Sequence, residues 1–122
     1  MKARPFRLLS DAALLALLVA PLTGPATAAE YTTLAYGGIT CEAWTNARAG
    51  KAQDAAVYEA WILGFLSAYN AFVFKGPNVA AGSDFDALRS MVDDHCKERP
   101  KDDLDSAAQA LIKQLLAKNP PQ

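Results

Sequence analysis

Apolar residues recur at helical spacing in four successive segments of the chain, separated by short links rich in polar residues, glycine and proline. A spacing of three, four and seven residues places apolar side chains on one face of a helix. The pattern predicts helices over about 41–49, 54–74 and 84–98, and a fourth that starts near 102 or 103 and ends before the tail 119–122. The predicted class is therefore a small all-α, four-helix domain.

Capping residues indicate where these helices begin and end. Thr40 is the predicted N-cap of the first helix, and Gly50 ends it. Ser83 is the predicted N-cap of the third helix, with Asp86 three residues later in a pair that resembles a capping box. Before the first helix, residues 30–39 (EYTTLAYGGI) form no confident strand, and we expect an extended or loose arm there.

The second helix is apolar over most of its circumference, as in helices that are buried centrally or lie in a membrane. Glu59 favours the buried central helix, because a charge in mid-membrane costs about 2.5–3.5 kcal/mol. Gly64 indicates either a close crossing by another helix or a tolerant position. Ser67 and Asn70 share a face. We expect them to form a small polar network or the edge of the core, with ligand contacts as the alternative.

The first 28 residues follow the order of a cleaved secretory signal peptide. A basic stretch at 2–7 precedes the apolar run 12–20 (AALLALLVA), and Ala26-Thr27-Ala28 is an A-x-A cleavage site. The apolar run is shorter than the about 20 residues that span a bilayer. We expect an exported, periplasmic protein whose mature part, residues 29–122, is a single domain.

Cys41 and Cys96 are the two cysteines of the chain, and an even count in an exported protein favours a disulfide. The bridge would close a loop of about 55 residues, worth roughly 4 kcal/mol in the chain-entropy model. The alternatives are a thiol nucleophile beside His95 and a metal site that includes Asp93. Both are weaker, because adjacent side chains on a helix do not face each other and a metal needs three or four convergent ligands.

Charge and motifs restrict the possible functions. The mature part keeps 9 basic and 12 acidic residues, a formal charge of −3, without a basic patch of the kind that binds nucleic acid. The sequence shows no catalytic Ser/His/Asp set and no Gly-rich phosphate loop, and the helix dipole explains the carboxylates near helix N-termini. We expect no enzyme activity, no cofactor, no metal, no nucleic-acid partner and no stable membrane insertion.

Three motifs resemble the HdeA/HdeB-type periplasmic acid-stress chaperones, and the HdeB-like members in particular. ITCEAW (39–44) looks like their Thr-Cys-Glu/Gln-x-aromatic opening. MVDDHCKERPKDDL (91–104) is similar to the segment in which an apolar helix ends in Cys-Lys-x-x-Pro, and AWILGFLSAYNAFVFKG (60–76) to the Trp-bearing central helix. The likeness spans residues 40 to about 116. It implies a small helical fold with a Cys41–Cys96 disulfide, a periplasmic dimer, and acid-triggered binding of unfolded client proteins.

The composition is compatible with an acid trigger. Below about pH 3 the carboxylates are protonated, so the charge moves from −3 towards +10 and self-repulsion loosens compact states and oligomers. Clients would then meet a candidate apolar surface formed by Trp61, Phe65, Phe72 and Phe74. Two other functions stay open: a Tai-type immunity protein that binds one cognate toxin, and a periplasmic structural or stress protein without a client.

Overall fold

The computed structural model describes residues 31–121, which form four helices. The elements are a 3-10 turn (Ala35–Gly38), α1 (Cys41–Gly50), α2 (Ala52–Phe72), α3 (Phe85–Glu98) and α4 (Leu104–Lys118). Between residues 31 and 121 there is no β-strand, only an isolated bridge between Thr40 and Asp103. The predicted all-α, four-helix class is confirmed. The predicted signal peptide, residues 1–28, lies outside the described residues.

The segment 31–39, hereafter the arm, is more ordered than the loose arm that the sequence predicts. Its 3-10 turn contacts α2 and α4. The carbonyl of Ile39 accepts a hydrogen bond from the amide of Leu104 at 2.9 Å. The arm is therefore a packed part of the fold, although most of its side chains stay exposed.

Side-chain caps begin three of the helices. Thr40 accepts a hydrogen bond from the amide of Ala43, as predicted, and Asp103 caps α4 in the same way. The predicted cap Ser83 is wrong, because Asp84 accepts from the amide of Ala87 and the helix starts one residue later. Gly50 is the last residue of α1 rather than the residue after it.

The core forms around α4, which is the central helix. Seven of its residues are buried: Leu104, Asp105, Ala107, Ala108, Leu111, Ile112 and Leu115. Trp44 of α1, Val92 of α3 and Val79 of the loop before α3 are at most 1% exposed and complete the same cluster. Burial of each large apolar side chain contributes about 1.5–3 kcal/mol, so this cluster holds the fold together.

α2 is not buried on all sides, and the expectation of a central α2 is wrong. Its buried residues are Ala55, Ile62 and Leu66. The opposite side is exposed and carries small residues, among them Ala60 and Gly64. Small side chains cost little to expose, which is why a count of apolar residues overstated the burial. The close helix crossing suggested by Gly64 is absent from the described residues, since a Cβ there would meet no atom within 4 Å.

The disulfide between Cys41 and Cys96 is present and both residues are buried. It ties the start of α1 to the end of α3, so the catalytic-thiol and metal-ligand alternatives for Cys96 are wrong. Two backbone hydrogen bonds reinforce this corner, from the amide of Cys41 to the carbonyl of Asp102 at 2.7 Å and from Glu42 to Pro100 at 3.0 Å. The link from α3 to α4 is therefore fixed against α1.

None of the helices between residues 31 and 121 combines the length and the apolar character that a membrane-spanning helix requires.

Candidate functional site

The four predicted client-binding residues all lie on or just after α2, but they do not form one patch. The rings of Trp61 and Phe65 are 5.4 Å apart and both are partly buried. Phe74 packs instead against Tyr69, with ring centroids 6.4 Å apart. Phe72 points outward and is 86% exposed. Their role in binding clients stays a prediction.

Other large apolar side chains are exposed, and sequence reasoning did not single them out. They are Tyr31, Leu34 and Tyr36 of the arm, Val73 after α2, and Phe85 at the start of α3. For Tyr31, Leu34 and Tyr36 the available signal was their position in the segment before α1, beside threonine and glycine residues, where a connecting chain runs on the surface. The apolar surface of the native protein therefore combines the arm with the end of α2.

Trp61 connects α2 to the arm. Its indole Nε1 donates a hydrogen bond to the carbonyl of Leu34 at 3.1 Å. Its ring lies against the backbone of Gly37, where an added Cβ would overlap the indole. The arm therefore covers part of the surface that the candidate client-binding residues would offer.

Glu59 holds α2 to two other helices. Its Oε1 accepts from Arg48 of α1 at 3.1 Å and from Arg89 of α3 at 3.4 Å, and its side chain is only 12% exposed. No other residue between 55 and 72 is charged. The sequence indicated that this glutamate needs a compensating partner, but both arginines are distant in sequence and no local pattern identifies them.

Asp93 is a second point of convergence, between α1 and α3. Arg48 donates to both of its carboxylate oxygens, at 3.1 and 2.9 Å, and the indole of Trp44 donates to Oδ1 at 2.7 Å. Partial burial alone would raise the pKa of Asp93. The hydrogen bonds from Arg48 and Trp44 outweigh it and hold that pKa below its usual value. At neutral pH Asp93 is therefore ionised and keeps Arg48 in place between Glu59 and α3.

Asp105 joins the arm to α4. Its Oδ2 accepts hydrogen bonds from the hydroxyl of Tyr31 and, at 2.8 Å, from Gln109. The hydrogen bond to Asp105 raises the pKa of Tyr31 to about 12, and burial adds to the effect. Asp105 faces the core side of α4, three residues before Ala108 and seven before Ile112. That spacing was a signal the sequence reasoning missed, because the aspartates before α4 were explained by the helix dipole alone.

Ser67 and Asn70 make separate local contacts. The hydroxyl of Ser67 donates to the carbonyl of Leu63 within α2. Asn70 instead anchors the loop before α3, accepting from the amide of Val79 at 2.8 Å and donating to Asn78 at 3.1 Å. The two residues thus have structural contacts, in agreement with the expected polar edge of the core.

The remaining titratable side chains do not converge on a metal site. Among residues 31–121 no group of three or more His, Cys, Asp or Glu side chains is arranged to hold a metal ion. His95 lies with its Nε2 3.1 Å from Asp102, a contact that joins the end of α3 to the link before α4. This contact explains the position of His95 without a ligand.

The chain matches no protein-family model, no curated protein and no solved structure. The resemblance to the acid-stress chaperones, which came from the motifs around the two cysteines and on α2, stays a prediction.

Proposed function

We propose that this protein is a periplasmic acid-stress chaperone, exported by a cleaved signal peptide, which binds unfolded polypeptides at low pH. The observation that carries the proposal is the position of Glu59. It is the only charged residue between 55 and 72, and it bridges α2 to an arginine on α1 and another on α3. The ion pairs that join the most apolar helix of the fold to α1 and α3 thus share a single carboxylate.

Acid would weaken the attachment of α2 to α1 and α3. Carboxylates lose their charge below about pH 3–4, whereas arginines keep theirs. Protonated Glu59 would leave Arg48 paired with Asp93 and Arg89 paired with Asp86, neither of which lies on α2. The ion pairs that join α2 to α1 and α3 would then be lost. The rising positive charge of the whole chain adds repulsion. Both effects favour movement of α2 away from α1 and α3.

The released helix has the properties of a client-binding surface. Movement of α2 would uncover its buried residues Ile62 and Leu66. They lie beside Trp61 and Phe65 on the same helix, which Phe72 ends, and Phe74 follows two residues later. Exposed contiguous apolar surface binds other apolar chains. The Cys41–Cys96 disulfide still ties α1 to α3, so the loosened chain keeps a defined frame.

The test is light scattering of an acid-sensitive client protein, taken to about pH 2–3 and neutralised, with and without the oxidised protein. Three proteins are compared: wild type, Glu59→Gln and Glu98→Gln. Glutamine has the shape of a protonated glutamate, so Glu59→Gln removes the charge at every pH. Glu98 is exposed at the end of α3 and makes no ion pair among the described residues, which makes Glu98→Gln the matched control.

We expect wild type to suppress aggregation at low pH, and Glu59→Gln to begin suppressing it at a higher pH than wild type, because it lacks the charge from the start. Glu98→Gln should follow wild type throughout. If wild type suppresses nothing at any pH, the chaperone function is wrong, and the search turns to a dedicated protein partner such as a toxin. Equal pH profiles for wild type and Glu59→Gln would remove Glu59 as the trigger.

A further inference from the structure

A pocket of about 380 Å³ lies between the arm and α2. One wall is formed by residues 31–34, and the other by Trp61, Gly64 and Phe65 of α2. Asp105 of α4 also lines it and is the only charged residue within 31–121 that does so. As far as the described residues show, the pocket is therefore mostly apolar and aromatic, with Thr32 and Thr33, a single carboxylate and no basic side chain.

The two carboxylate oxygens of Asp105 differ in their hydrogen bonding. Its Oδ2 accepts from Tyr31 and Gln109, whereas its Oδ1 has no hydrogen-bond partner among the described residues. Asp105 is only 6% exposed. A buried carboxylate oxygen without a donor is unfavourable, so the site favours a group that can donate to it.

The surroundings restrict the chemistry of that donor. An anion is disfavoured by Asp105 itself and by Asp103, whose charge also acts on Tyr31. A cation gains from the carboxylate and from the faces of Trp61 and Phe65, since aromatic faces attract ammonium groups. The apolar walls favour a hydrocarbon stem behind the charge.

We infer that this pocket binds a primary ammonium group carried on an apolar or aromatic stem, with the ammonium donating to Oδ1 of Asp105. The stem lies between the arm and the Trp61–Phe65 pair. Oδ1 is buried, so the ammonium reaches it when Tyr31, the exposed first residue of the arm, moves aside. The hydrogen bond from Trp61 to Leu34 and the contact of Gly37 with Trp61 keep the rest of the arm on α2. The chemistry is shared by free amines and by lysine side chains of a polypeptide.

This binding belongs to the native fold at neutral pH and does not depend on the proposed chaperone function. A failure to bind amines would not change the result expected in the light-scattering experiment at low pH. A failure of that experiment would not change the amine binding expected at neutral pH.

The test uses the oxidised protein at neutral pH, followed by the NMR signal of the Trp61 indole NH. The chain has two tryptophans, so the indole NH of Trp44, which is bound to Asp93, is an internal control. The probes are phenethylamine and its neutral counterpart 2-phenylethanol. A second pair is a short end-blocked peptide with one lysine and the same peptide acetylated on that lysine.

Two variants and one control locate the binding. Gly64→Leu fills the pocket wall, and it should fold because a Cβ at Gly64 meets no atom within 4 Å. Ala60→Leu adds the same side chain one turn earlier on the exposed side of α2, outside the pocket. Asp105→Asn removes the negative charge of the pocket. Circular dichroism shows whether this variant folds. If Asp105→Asn does not fold, Gly64→Leu alone tests whether the amine binds in the pocket.

We expect saturable shifts of the Trp61 signal with phenethylamine, with the lysine peptide, or with both, and none at Trp44. Which of the two amines binds more tightly identifies the source of the ammonium group. Gly64→Leu and Asp105→Asn should weaken binding by about tenfold or more, while Ala60→Leu should not. Equal shifts with 2-phenylethanol, unchanged binding by Gly64→Leu, or no shift with either amine would overturn the inference.

Discussion

The backbone of Gly37 lies directly against the indole ring of Trp61. A Cβ at position 37 would overlap Thr33 and Trp61, with Cη2 of the indole at 2.9 Å. The neighbouring Gly38 has nothing within 4 Å of its own added Cβ. This contact, together with the hydrogen bond from Trp61 to Leu34, fixes the arm on α2.

Replacement of Gly37 by alanine should therefore displace the arm. We expect Gly37→Ala to lower the free energy of unfolding by about 1–3 kcal/mol, because overpacking forces neighbouring groups to shift. The fluorescence of Trp61 should also change as its surroundings open. Gly38→Ala is the matched control and should stay within about 0.5 kcal/mol of wild type in urea unfolding. Equal effects of the two variants would mean that the arm is not held by this contact.

Loss of the disulfide should destabilise the protein strongly. The bridge closes a loop with a sequence separation of 55, so its loss frees the unfolded chain and destabilises the protein by about 4 kcal/mol. The comparison is between wild type and the double variant Cys41→Ser/Cys96→Ser in denaturant at pH 7. A loss below about 1 kcal/mol would show that the hydrogen bonds around Cys41 and Glu42 hold this corner without the bridge.

Neutralisation of Asp93 should give a loss of stability that depends on pH. Its folded-state pKa lies below the ordinary value of 3.8, so the ionised form stabilises the native state above that value. This contribution is lost as the pH falls from about 4 through the lower folded-state pKa. We expect Asp93→Asn to destabilise the protein by about 1–2 kcal/mol at pH 7, discounted for partial exposure, and by little at pH 2.

Urea unfolding at several pH values checks this prediction, with Asp94→Asn as the control. Asp94 is exposed and has no ion pair among the described residues, so the same charge change there should have little effect. A stability difference between wild type and Asp93→Asn that stays constant down to pH 2 would contradict the electrostatic explanation.

Replacement of Asn70 should destabilise the protein much more than replacement of Ser67, although both are polar residues on α2. Asn70 bonds the amide of Val79, a residue with no exposed surface, whereas Ser67 bonds only its own helix and is exposed. We expect Asn70→Ala to lower the free energy of unfolding by about 1–3 kcal/mol, since it leaves a polar backbone group in the core without its partner. Ser67→Ala should change it by less than about 0.5 kcal/mol.

Thermal unfolding followed by circular dichroism distinguishes these two variants. Hydrogen exchange at the amide of Val79 should also become faster in Asn70→Ala. If both substitutions are equally mild, the loop before α3 is held by Asn119, which donates to the carbonyls of Val79 and Ala81, and not by Asn70.

The sequence by itself determined the helices and the disulfide. Helix spacing and caps such as Thr40 act over three to four residues, so the chain order alone reveals them. The disulfide followed from a count of two cysteines. The error at Ser83 has the same local origin, since two adjacent residues can both cap a helix and the structure shows that Asp84 does so.

Only the tertiary structure decided which helix is central and which residues Glu59, Asp93 and Asp105 contact. Burial depends on how many neighbours surround a helix, and the apolar count of α2 did not show that one of its sides is exposed among residues 31–121. Arg48 and Asp93 are 45 residues apart, and Tyr31 and Asp105 are 74 apart. Contacts over such separations depend on the path of the whole chain, so no local pattern could place Glu59 between two arginines or Asp105 beside the arm.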